Sequence, residues 1–105
     1  MARSKYHAVP TVIDGIRFAS KAEAKRYQEL KLAQSVGAIS DLELQPRYRL
    51  HVNGWKLGEY RGDFRYRNSE GQTVVEDVKG MLTPMYRWKK KHVAAEYGVD
   101  VVEVR

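Results

Sequence analysis

Short alternations of apolar and polar residues, broken at turn-forming pairs, organise the first third of the chain. Val12-Ile13 and Ile16-Arg17-Phe18 flank Asp14-Gly15, a pair suited to a tight two-residue turn, so this stretch is predicted to be a hairpin. Ser20-Lys21-Ala22-Glu23 has the form of a capping box and predicts a helix running to about Val36, with Gly37 in the stop position. Its apolar stripe is Tyr27, Leu30 and Ala33 or Gln34, and Glu23 lies one turn earlier on that stripe. Residues 42–52 alternate only in part, and Pro46 argues for an edge strand or a bend. After the Asn53-Gly54 turn, residues 56–67 read as one strand. Tyr60, Phe64 and Tyr66 share one of its faces; Arg61, Asp63, Arg65 and Arg67 share the other. A turn over 68–71 leads to a strand from Thr73 to Lys79, ended by Gly80. Thr83-Pro84 marks the start of a second helix that reaches Tyr97 and stops at Gly98. In that helix Met85, Trp88 and His92 or Val93 are near helical spacing, which assigns Trp88 to the core. Val99 to Val104 is the last strand.

The order is hairpin, helix, three antiparallel strands, helix, strand. It predicts one mixed α/β (α+β) domain over residues 1–105, a sheet flanked by helices. A chain of 105 residues has room for one modest core and no separate cofactor module. With 43% hydrophobic and 30% charged residues it is globular in composition. The absence of cysteine excludes disulfides and thiolate zinc sites, and fits a reducing compartment. No apolar run approaches the ~20 residues of a membrane span, so no membrane partner is expected. The net charge of +6, from 19 Lys+Arg against 13 Asp+Glu, favours a polyanionic partner.

Against that basic background the acids carry more information. Asp63 and Asp77 fall on strands joined by a short turn, and neighbouring strands lie about 4.8 Å apart, so the two can converge. Asp77 and Lys79 are two residues apart and share a strand face. Carboxylates held that close repel one another unless a cation lies between them. An all-oxygen donor set points to a hard ion such as Mg²⁺ or Mn²⁺. Glu23 is explained by the capping box, yet its place on the apolar stripe faces it toward the sheet, where a carboxylate needs a partner. Glu76 points away from Asp77; a bulge that re-aimed the strand would exchange the two.

Glu23, Asp63, Asp77 and Lys79, in this order and on these element types, resemble the PD-(D/E)XK nuclease superfamily. The similarity is closest to small phage-encoded members. It extends from Ser20-Lys21-Ala22-Glu23 through Tyr60-Arg61-Gly62-Asp63-Phe64 and Glu76-Asp77-Val78-Lys79-Gly80 to Thr83-Pro84-Met85-Tyr86-Arg87. Gly62 stands where the superfamily's motif has proline. The resemblance implies a restriction-endonuclease-like core and a metal-dependent endodeoxyribonuclease, similar to Holliday-junction resolvases and acting on duplex or branched DNA. It also implies a homodimer working in the host cytoplasm. Glu23, Asp63 and Asp77 with the Val78 carbonyl would hold Mg²⁺ or Mn²⁺, and Lys79 would position the attacking water.

The second helix carries Arg87, Lys89, Lys90 and Lys91 just after this motif, and its N-terminus at Thr83 favours phosphate. These residues, with Arg61 and Arg65 beside Asp63, are the expected DNA contacts. Alternatively Arg61, Arg65 and Arg67 pair with Glu59, Glu70 or Glu43, which contributes little on a surface. Arg3, Lys5 and Tyr6 lie on a loose basic N-terminal segment. The competing reading is a non-catalytic basic nucleic-acid-binding module that keeps the fold; another is a subunit whose partner completes the site.

Overall fold

The computed structural model describes residues 9–78 and 82–104. Lys79, Gly80 and the segment bearing Arg3, Lys5 and Tyr6 lie outside the described residues. The predicted hairpin is β1 (Thr11–Ile13) and β2 (Ile16–Phe18), with Asp14 and Gly15 both at positive φ. Helix α1 (Lys21–Ser35) begins at Ser20, whose Oγ accepts the Glu23 N–H at 3.1 Å. Gly37 follows its end at φ 79°, a value that glycine adopts without penalty.

The middle of the chain is more divided than its alternation suggests. Residues 42–52 separate into β3 (Ser40–Leu44) and β4 (Arg47–Val52), broken at Gln45-Pro46. The single strand expected over 56–67 is two, β5 (Trp55–Arg61) and β6 (Phe64–Arg67), broken at Gly62-Asp63. β4 and β5 pair through the Asn53-Gly54 turn as their own antiparallel sheet. β6 instead joins a four-stranded mixed sheet of order β3-β6-β7-β8, with β7 Thr73–Val78 and β8 Asp100–Val104. Its pairings are antiparallel except β7 with β8, which run parallel across helix α2 (Pro84–Tyr97). The mixed α/β expectation therefore holds.

Two apolar layers cover the two faces of this sheet. On one, Phe18, Ala24, Tyr27 and Leu30 of the hairpin and α1 pack against Phe64. On the other, Tyr48, Leu50 and Tyr60 of the β4–β5 sheet pack with Val75, Val93, Val99 and Val101. Phe64 and Leu50 are fully buried, each such side chain contributing about 2–3 kcal/mol. Tyr60 and Phe64 thus serve opposite layers, because the break at Gly62-Asp63 turns the chain from one sheet to the other.

Helix α2 starts at Thr83, whose Oγ1 accepts the Tyr86 N–H at 3.1 Å, and ends at Gly98 at φ 67°. It packs through Val93 and Tyr86. The expected core role of Trp88 is not met: Trp88 is 40% and Met85 60% exposed, because the helix turns its Tyr86–Val93 side to the sheet.

Candidate functional site

The two strand breaks face each other and are stitched together. Gly62 N–H donates to the Pro46 carbonyl at 3.0 Å, Gln45 N–H to the Asp63 carbonyl at 2.9 Å, and Asp63 N–H to the Glu76 carbonyl at 2.9 Å. A Cβ on Gly62 would stand 2.6 Å from Val75 Cγ1, so the chain passes β7 here only because this residue has no side chain. The bend aims Asp63 at the C-terminal end of β7, where its Oδ2 accepts the Val78 N–H at 2.7 Å.

Asp63 is the electrostatic centre of the acidic group. Burial raises its pKa to about 6, against the Val78 N–H bond, and the like charges of Glu23 and Asp77 raise it further. Glu23 is buried and also shifted up by burial, opposed by the Ala19 N–H and the Arg61 charge. Asp77 is raised by burial and held back by the Tyr60 hydroxyl, which donates to its Oδ2. The three sequence-predicted acids therefore lie within electrostatic reach of one position. They approach it differently: Glu23 comes from α1, whereas Asp77 lies on the opposite, Tyr60 side of the sheet. Lys79 is outside the described residues.

Glu76 is committed elsewhere. Its side chain is 1% exposed and is clasped by Arg26, with Nε–Oε1 and Nη2–Oε2 both at 2.7 Å, while the Tyr66 hydroxyl donates to Oε2. Burial and this contact push the Tyr66 phenol up to about 12. Alternation places this network on the α1 side and leaves Asp77 facing the other way, as expected.

Three residues around Asp77 were missed from the sequence. Tyr60 reads only as an apolar position, and the sequence assigns Tyr86 no role of its own. Glu103 is brought opposite Asp77 by the parallel register of β7 and β8, and it binds Lys90 at 2.9 Å. The Tyr86 hydroxyl is buried near Asp77, and burial, then the carboxylate's charge, raises its pKa; yet it makes no hydrogen bond of good geometry. The spacing of Glu103 along β8 matches that of Asp77 along β7, but only the crossover through α2 makes them neighbours.

The predicted DNA contacts divide into three groups. Arg61, Thr83 and Lys89 line a pocket of about 270 Å³ that also contains Tyr60, Asp77 and Tyr86. Arg87, Lys90 and Lys91 line a separate hollow of about 440 Å³ beside β8. Arg65 is tied to the Tyr48 hydroxyl at 2.9 Å and to Glu43, the ion-pair alternative raised from the sequence.

A family profile matches residues 3–103, nearly the whole chain. The chain belongs to the family described as "Protein of unknown function (DUF1064)". No curated protein and no solved structure matches it. The donor type fits a hard divalent cation: Glu23 and Asp77 are buried carboxylates and Asp63 a partly buried one, all oxygen donors, each with its pKa raised by burial. Among the described residues, however, no three His, Asp or Glu side chains are grouped closely enough to enclose an ion. No helix among the described residues is long and apolar enough to cross a membrane.

Proposed function

We propose that this DUF1064 chain is a metal-dependent endodeoxyribonuclease hydrolysing phosphodiester bonds in duplex or branched DNA. The observation that carries the reading is that partly buried Asp63, at the stitched Gly62-Asp63 bend, feels the like charges of both Glu23 and Asp77 in a chain of net charge +6. A domain that only bound phosphate would be weakened by partly buried, mutually repelling acids at a basic surface.

Glu23, Asp63 and Asp77 would hold Mg²⁺ or Mn²⁺, with the Val78 carbonyl adjoining. Such an ion neutralises charge developing on a phosphodiester and lowers the pKa of a bound water. The Val78 N–H fixes the Asp63 carboxylate, and Tyr60 fixes that of Asp77. Lys79, two residues after Asp77, is assigned to orienting the water that attacks phosphorus. The bond to the 3′ oxygen breaks, leaving a 3′-hydroxyl and a 5′-phosphate. Arg61, Lys89 and the N-terminus of α2 at Thr83 flank Asp77 and hold the strand's phosphates.

The alternative, a non-catalytic nucleic-acid-binding module, draws support from the open arrangement of the acids. Cleavage of plasmid, branched and single-stranded DNA in Mg²⁺ or Mn²⁺, with chelator as control, separates the two. The nuclease reading expects metal-dependent cleavage abolished by Asp77→Asn and by Lys79→Gln. Salt-sensitive binding with no cleavage of any substrate would favour the module.

A further inference from the structure

Next to the Asp77 pocket lies a larger, mostly apolar groove between β5 and the start of α2. Its volume is about 650 Å³, and Leu57, Gly58, Pro84, Met85, Trp88 and Lys89 line it. Met85 and Lys89 line both hollows, so the groove and the pocket adjoin. Leu57 of β5 and Met85 and Trp88 of α2 are 58%, 60% and 40% exposed, an unusual apolar cluster beside a helix carrying three consecutive lysines.

The aromatic wall of the groove is braced. The Trp88 ring meets His92 in a T-shaped contact at 5.2 Å. His92 Nε2 lies 3.0 Å from the His51 carbonyl oxygen and 3.2 Å from Glu96 Oε1, both acceptors, so its ring is anchored as an Nε2–H donor. Opposite stands Gly58. It shares the strand face of Tyr60, which packs with α2, and a Cβ there meets nothing within 4 Å. The absence of a side chain at this position leaves the width open.

We propose that this groove receives an unpaired nucleobase, stacked on Trp88, from a strand whose phosphates run past Lys89 and Arg61 toward Asp77. The proposal deepens the nuclease reading and rests on it for the identity of the neighbouring pocket. A base in B-form duplex is already stacked on both sides and cannot enter, so the preferred DNA is one with a single-stranded or splayed segment beside the cleaved bond. The surface chemistry matches that occupant. A flat apolar wall takes the base and a cationic rim takes the backbone, the combination that binds single strands without reading sequence.

The test uses the full chain with Trp55→Phe, which leaves Trp88 as the single tryptophan, in chelator so that binding is read without cleavage. A short oligothymidylate should quench Trp88 emission, and a blunt duplex of equal length should not. Trp88→Ala should weaken oligothymidylate binding about tenfold, with the salt dependence unchanged. Trp88→Phe should restore most of the affinity. Gly58→Leu, which fills the groove while keeping Trp88 in the chain, should reproduce the loss. Unchanged Trp88 emission at saturation, or full affinity in both Trp88→Ala and Gly58→Leu, would overturn the proposal. So would light scattering that shows a dimer for the parent and a monomer for Trp88→Ala, because the groove would then be a seam between two copies. Cleavage assays on the same proteins keep the two readings apart. Metal-dependent cleavage without Trp88 quenching defeats the base site alone, and quenching without any cleavage defeats the nuclease reading alone.

Discussion

Asp63→Asn tests the electrostatics of the site without disturbing its geometry, because the amide oxygen can still accept the Val78 N–H. In the folded chain the Asp63 pKa stands at about 6, against 3.8 for an unperturbed carboxyl. Between those values the folded protein keeps a proton that the unfolded chain has released. Stability therefore falls as pH rises through this window, and the full penalty is present above pH 6. At about 1.4 kcal/mol per unit the shift corresponds to at most ~3 kcal/mol, and to about 1–2 kcal/mol once water at the rim is allowed for. Asparagine cannot ionise, and its neutrality also relieves Glu23 and Asp77. The variant is therefore expected to be about 1–2 kcal/mol more stable at pH 7.5 in chelator, a rise of about 4–8 °C in melting temperature. The gain should vanish near pH 3, below the unfolded value of 3.8, where the carboxyl is protonated in both the folded and the unfolded chain. Mg²⁺ or Mn²⁺ should raise the melting temperature of the wild type and leave the variant unchanged. Thermal melts across pH decide the matter. A variant that is less stable than wild type at pH 7.5, or whose full advantage persists at pH 3, refutes the picture of Asp63 as a repelled, partly buried acid.

Other outcomes follow from the same structure. Arg26→Met strands the Glu76 carboxylate at 1% exposure and should lower stability by about 3–5 kcal/mol in urea unfolding; a loss under 1 kcal/mol would mean that the clasp is not formed. Gly62→Ala forces a methyl to within 2.6 Å of Val75 Cγ1 and should destabilise by about 1–3 kcal/mol, with no effect if the two strands part freely at the bend. Lys79→Gln should abolish cleavage yet leave oligonucleotide affinity within about twofold, since one phosphate contact at most is lost; retained cleavage would remove Lys79 from the reaction.

Local chemistry made the helix boundaries readable. Ser20, Thr83-Pro84, Gly37 and Gly98 each satisfy or release backbone groups within a few residues, and the structure uses all four in those roles. Asp14-Gly15 and Asn53-Gly54 were legible for the same reason. The exchange between sheets at Gly62-Asp63 was not. Tyr60, Phe64 and Tyr66 keep an even spacing through the break, so alternation alone reads one strand with one apolar face. The available signals were a glycine inside a strand pattern and Pro46 in the preceding segment, but their stitching is a tertiary event. Trp88 was misplaced because α2 has two candidate stripes, and only the packing of Val93 and Tyr86 decides between them. In the site, the approach of Asp63 to Asp77 was foreseeable from a short turn between antiparallel strands. The Tyr60 and Tyr86 hydroxyls and Glu103 were not, because they reach Asp77 through the second sheet, helix α2 and the parallel crossover.

The most direct test of the central claim is a Mn²⁺ titration of the intact chain at pH 7.5, followed by electron paramagnetic resonance of the free ion. Wild type should remove Mn²⁺ from solution at a saturable site, and Glu23→Gln, Asp63→Asn and Asp77→Asn should each abolish or severely weaken it. Glu43→Gln, on the far side of Arg65, should not. A wild type that binds no Mn²⁺, or binding indifferent to all three substitutions, would contradict the account.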